Sequence, residues 1–128
     1  MSDEMVFKKN IVIIDNDEIQ LFVLSSYLEN LFHIMTFRSG LPALYALESM
    51  RILPDCILLD YAIPGTDGLE IIQKLKANER LKKIPIIILT SVSKSDSVIG
   101  CLLKNPASYL LKPIEADVLI DRIFQIIS

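Results

Sequence analysis

Short continuous apolar runs alternate along this chain with longer stretches of helical period. Ile11-Val12-Ile13-Ile14 is β-branched throughout, the pattern of a strand buried on both faces. Cys56-Ile57-Leu58-Leu59 and Ile84-Pro85-Ile86-Ile87-Ile88-Leu89 read the same way. Pro85 has no N–H for a sheet ladder, so it fits only the start of its strand. His33 to Phe37 and Tyr109 to Leu111 are shorter strand candidates. Between these runs, Leu21, Leu24, Leu28 and Leu31 recur at helical spacing. Leu44 and Leu47 mark a second helix, with Ser39 at the N-cap and Pro42 in the first turn. Leu69, Ile72 and Leu75 mark a third, Val98 and Leu102 a shorter fourth, and Leu119, Ile123 and Ile126 the last. Five β-α units predict a parallel sheet covered by helices on both faces. Right-handed crossovers leave few ways to wind it, and the order 2-1-3-4-5 sets the first and third strands side by side.

Composition narrows the function. A chain of 128 residues with 52% apolar content builds one ordinary core without needing disulfides or a structural metal. Thirteen basic against sixteen acidic residues leave a net charge of -3, which argues against direct nucleic-acid binding through phosphates. A single His excludes zinc sites built from several histidines. Cys56 and Cys101 each lie in an apolar run, as buried thiols in a reducing compartment do. No signal-peptide pattern opens the chain, and no apolar run approaches the ~20 residues needed to span a membrane. The expectation is a cytoplasmic protein with no membrane contact.

The chemistry sits where strands end. Asp15 follows the first strand, with Asn16, Asp17 and Glu18 behind it. Asp60 follows the third strand, Thr90 and Ser91 the fourth, and Lys112 the fifth. Ligands of open α/β sheets bind outside the carboxyl ends of the strands, where the strand order reverses. Adjacent carboxylates need a cation or take up protons. Mg²⁺ suits oxygen ligands and often uses one or two carboxylates together with a phosphate. A Lys ammonium and a Thr hydroxyl would serve phosphoryl oxygens, so the set fits phosphoryl transfer to an aspartate. A lone Asp at a strand end most often caps a helix or turn. Four suitable groups at four strand ends are harder to assign to chance.

At these residues the chain resembles the receiver domains of response regulators, the CheY-like phosphoacceptor modules of two-component signalling. The segment Asp55-Cys56-Ile57-Leu58-Leu59-Asp60-Tyr61-Ala62-Ile63-Pro64-Gly65-Thr66-Asp67-Gly68 is similar to that family's phosphoacceptor strand and the loop after it. Tyr109-Leu110-Leu111-Lys112-Pro113 resembles its aromatic-x-x-Lys-Pro ending, and Pro85 to Ser91 its fourth strand. The resemblance runs from about Asn10 to Ile127. It implies a flavodoxin-like (βα)5 fold of three α/β/α layers, with a parallel sheet of order 2-1-3-4-5. It implies Asp60 as phosphoacceptor, with Lys112 and Thr90 assisting catalysis. Mg²⁺ (or Mn²⁺) would be held by Asp15, Asn16, Asp60 and the backbone carbonyl of Ala62. Thr90 and Tyr109 would form the switch, and the Lys112-Pro113 peptide would be cis. The phosphodonor would be a sensor histidine kinase or a histidine phosphotransfer protein. A downstream protein would meet the face made by the fourth helix, the fifth strand and the last helix. Such a module modifies itself and is not otherwise an enzyme.

Departures from the family pattern modify these expectations. Asn16 stands where a second acidic metal ligand is usual, which predicts weaker Mg²⁺ binding and slower phosphorylation. Asp17 could compensate, although its place equally suggests an N-cap. Asn105-Pro106 replaces the usual Gly-Ala before the fifth strand, and Asn tolerates a left-handed helix end. Ser91 replaces the commoner Ala. Arg122 matches an arginine of the charged dimer network known in some members, but Ser108 and Val118 replace acidic partners. That dimer is therefore not expected, and a weak apolar association through Val118 is the alternative.

Two rival readings follow. A degenerate receiver would bind a partner without being phosphorylated, and Asn16 is its support. Asp15-Asn16-Asp17 also resembles the Asp-x-Asp of haloacid-dehalogenase phosphatases. That reading leaves Asp60 unexplained and has only Glu115 and Asp117 for its later acidic pair. The expected organisation is a single receiver domain over 1–128, its core from about 10 to 127, with no output domain.

Overall fold

The computed structural model describes residues 8–60, 68–90 and 108–127. Five parallel strands form one sheet in the order β2-β1-β3-β4-β5. They are β1 (Asn10–Ile14), β2 (His33–Phe37), β3 (Cys56–Asp60), β4 (Ile86–Thr90) and β5 (Ser108–Leu111). Four helices are described: α1 (Glu18–Leu28), α2 (Gly40–Ser49), α3 (Gly68–Ala77) and α4 (Ala116–Ile127). Here α4 is the last helix; the shorter helix expected around Val98 and Leu102 lies outside the described residues, as does Cys101. Among the described residues no helix is long and apolar enough to cross a membrane.

The continuous apolar runs work as a two-sided code, because successive strand side chains point to opposite faces. Val12, Ile14, Ile57, Leu59, Ile86 and Ile88 meet Leu44 and Leu47 of α2 and Ile71, Ile72 and Leu75 of α3. The alternate set, Ile11, Ile13, Cys56, Leu58, Ile87, Leu89 and Leu110, meets Leu21, Leu24 and Leu28 of α1 and Leu119 and Ile123 of α4. Every residue of β3 and β4 is buried, as expected of central strands covered on both sides. Burial of each large aliphatic side chain contributes about 1.5–3 kcal/mol. Cys56 is a fully buried free thiol, and burial pushes it up to about 12, so it acts as a small apolar filler.

The structure refines the sequence reading at three places. Leu31 continues the leucine period, but α1 ends at Leu28, and Leu31 and Phe32 both donate their N–H to the Leu28 carbonyl at 2.9 Å. That turn leaves Leu31 exposed and swings Phe32 into the core, where its ring lies 5.2 Å from that of Phe124. Ser39 occupies the N-cap of α2 with extended backbone, yet its hydroxyl caps nothing. Pro85 stands just before β4 and uses only its carbonyl, which accepts from Ile57 N–H at 3.0 Å.

Candidate functional site

Strand register carries four polar side chains to one edge. Ile14 of β1 pairs with Leu59 of β3, so the next residues, Asp15 and Asp60, come side by side. Asp60 pairs with Leu89 of β4, which sets Thr90 one step further along. Thr90 pairs with Leu111 of β5, and the Lys112 N–H donates to the Thr90 carbonyl at 2.7 Å. The backbone thus fixes all four positions before any side chain is considered.

Three of these groups are buried: Asp15 is 0% exposed, Asp60 5% and Thr90 5%. The Lys112 Nζ donates to Asp60 Oδ1 at 3.2 Å, from a side chain that remains partly open to solvent. A buried carboxylate with an ammonium approaching from the solvent side is both stabilised and reachable. The Lys112-Pro113 peptide is cis. Tyr109, on β5, is exposed.

Asp15 is the fully buried member. Its N–H donates to the Phe37 carbonyl at 3.0 Å, and its Oδ1 accepts from Asp17 N–H at 3.0 Å. Its Oδ2 is buried and, among the described residues, has no hydrogen-bond partner. Burial, followed by the nearby Asp60 carboxylate, pushes Asp15 up to about 6 from an ordinary 3.8. The Asp17 amide and the Lys112 charge oppose the shift without cancelling it.

An orphaned buried carboxylate oxygen beside a second carboxylate suits a hard divalent cation such as Mg²⁺. The donors are all oxygen, and two carboxylates leave room for waters. Among the described residues no group of three His, Cys, Asp or Glu side chains gathers, so this pair is not a closed protein cage. Asn16 follows Asp15 and is exposed. Asp17 is committed elsewhere: its Oδ1 caps α1, accepting from Ile19 N–H at 2.9 Å and Gln20 N–H at 3.4 Å. Ala62, the residues through Asp67, Ser91, Asn105 and Pro106 lie outside the described residues.

Arg38 and Arg122 make contacts that were not read from the sequence. Arg38, just after β2, approaches Glu18 of α1 at 3.5 Å. Opposite charges just beyond two neighbouring strands were the available signal. Arg122 donates through Nη1 to the Tyr109 carbonyl at 3.3 Å, so the arginine singled out for a dimer network is engaged within its own chain. Val118 is exposed on α4.

The chain is similar to known proteins. The family model for the response regulator receiver domain matches residues 11–124. The two-component response regulator ORR5 of Oryza sativa subsp. japonica is 31% identical over 107 residues, covering 83% of this chain and 79% of its own. A probable methanogenesis regulatory protein, FilR2, of Methanothrix harundinacea is 38% identical over 64 residues, 50% of this chain and 41% of that protein. The signal receiver domain of a signal transduction histidine kinase from Syntrophus aciditrophicus superposes with a TM-score of 0.82 at 28% identity. That match covers 93% of this chain and 89% of the other.

Proposed function

The chain belongs to the response regulator receiver domain family, and on that premise we propose that it is a phosphorylation switch with Asp60 as phosphoacceptor. The observation that carries this reading is the Lys112 Nζ at 3.2 Å from Asp60 Oδ1, beside buried Asp15, whose Oδ2 has no hydrogen-bond partner among the described residues. A carboxylate oxygen of Asp60 forms a bond to phosphorus as the bond from phosphorus to the donor's nitrogen or oxygen breaks. The electron pair of the broken bond leaves with the donor. Lys112 holds Asp60 ready and then neutralises the phosphoryl oxygens. Thr90, buried at the end of β4, supplies a hydroxyl to one of those oxygens. Asp15, Asp60, Asn16 and the Ala62 carbonyl would hold Mg²⁺ or Mn²⁺, which when bound offsets the negative charge of the transferring group.

Burial supports the switch as well as the chemistry. A new dianion at a buried strand end needs compensating charge and hydrogen bonds; the Lys112 ammonium supplies charge and the Thr90 hydroxyl a hydrogen bond. Their movement would be passed to Tyr109 on β5, and the face of β5 and the last helix would change for a downstream protein. The donor is a histidine kinase or a histidine phosphotransfer protein.

Intact mass after incubation with Mg²⁺ and a small acyl phosphate tests the proposal. Wild type gains one phosphoryl group and Asp60→Asn gains none, a loss of at least about a hundredfold in adduct. An unmodified wild type would instead favour the phosphorylation-independent binding module. An adduct that survives Asp60→Asn but not Asp15→Asn would favour the dehalogenase-like reading.

A further inference from the structure

The residues beyond β1 read Asp15-Asn16-Asp17-Glu18, three acids and one amide, and each acid is held differently. Asp15 is buried beside Asp60 with Oδ2 unpartnered among the described residues. Asp17 caps α1 through Oδ1. Glu18 Oε1 lies 3.5 Å from Arg38 Nη1. Arg38 follows Phe37, whose carbonyl accepts the Asp15 N–H at 3.0 Å, so the arginine stands one residue along from Asp15's own backbone partner.

We propose that Arg38 is a positioning residue that lowers the divalent-cation affinity of the Asp15–Asp60 site by holding and neutralising Glu18. The inference rests on the reading of that site as a Mg²⁺ site. The pair is a poor device for stability, because both side chains are well over half exposed, at 64% and 73%. Its field matters more than its bond. A unit charge within about one Debye length of a divalent ion alters binding by about two- to fivefold at low salt, and by much less at 0.2 M. With Asn16 neutral and Asp17 occupied as a cap, Glu18 is the acid after Asp15 in that run that pairs with a basic side chain, Arg38.

The test is a magnesium chloride titration of the intact chain, followed by amide chemical shifts, at low and high potassium chloride. Arg38→Gln should bind about two- to fivefold more tightly than wild type at low salt, with the gap closing at high salt. Glu18→Gln should bind more weakly, and Arg38→Lys should match wild type. Thermal midpoints provide the contrast with a merely structural tie. Such a tie would shift Arg38→Gln and Glu18→Gln in the same direction, whereas the affinities move in opposite directions. Equal affinities of wild type and Arg38→Gln at low salt would overturn the inference while leaving the site intact. A wild type that shows no saturable Mg²⁺ binding would overturn the site and the inference together.

Discussion

The strand bodies and the strand ends are buried alike and chemically opposed. Ile13, Ile14, Leu58 and Leu59 are 0% exposed, and one residue further on so is Asp15, with Asp60 at 5%. In the bodies, removal from water is the driving force of folding. At the ends the same removal works against a charge, and it appears as a carboxyl pushed up to about 6. A sheet of this kind therefore keeps its stability and its chemistry a single residue apart. Stability comes from apolar side chains shared between two faces; the proposed reactivity rests on carboxylates that the fold holds at a cost.

The comparison breaks most readily at the bodies. Leu58 lies on central β3 and packs into the cluster between the sheet and α1 and α4. Leu58→Ala should lower unfolding free energy by about 3–4 kcal/mol, a large share of the 5–15 kcal/mol typical of a domain. Urea denaturation measures it, with the slope against denaturant unchanged. A loss under about 1 kcal/mol would mean that the bodies are not the stabilising half.

The ends should respond with the opposite sign. The Asp15 carboxyl is raised in the folded chain, so between roughly pH 4 and 6 the folded state binds more protons than the unfolded one. Stability of the metal-free protein therefore falls as pH rises through that window, and the full penalty remains above it. Asp15→Asn removes the penalty. It should stabilise the metal-free protein at pH 7 by on the order of 2 kcal/mol and have little effect near pH 3.5. Saturating Mg²⁺ should narrow the difference by stabilising wild type alone. Melting curves at the two pH values, with and without the ion, decide it, and a variant less stable than wild type at pH 7 would refute the account.

What could be read from the sequence follows the same division. The β-branched runs of the bodies and the strand order were legible, because a strand buried on both faces has few alternatives to an apolar run. Edges were less so: β3 extends to include Asp60, and β4 begins only at Ile86. Leu31 kept the period of α1 yet lies outside it, since periodicity does not say where a helix stops. Asp15, Asp60, Thr90 and Lys112 were singled out by position, and register brings them to one edge of the sheet. The Arg38–Glu18 contact was not found, because it joins the start of α1 to the residue after β2, and their spacing depends on how β1 and β2 pair. The engagement of Arg122 with a backbone carbonyl has no side-chain signature at all.

Asn16 offers the finest test of the contrast, because it adds charge at the ends without touching the bodies. Its side chain is exposed, so an acid there has almost no desolvation to overcome. Asn16→Asp should tighten Mg²⁺ binding by about fivefold, since a third carboxylate joins a site of hard oxygen donors. The same charge lies next to Asp15 in sequence and raises the cost of ionising it. The metal-free variant should therefore be less stable at pH 7 by about 0.5 kcal/mol, while the Mg²⁺-saturated variant is not. Titration and paired melts of wild type and Asn16→Asp read both effects from one sample. Binding and stability changing in opposite directions would locate the conflict at the strand ends. Equal Mg²⁺ affinity would show that the amide at Asn16 already does a carboxylate's work.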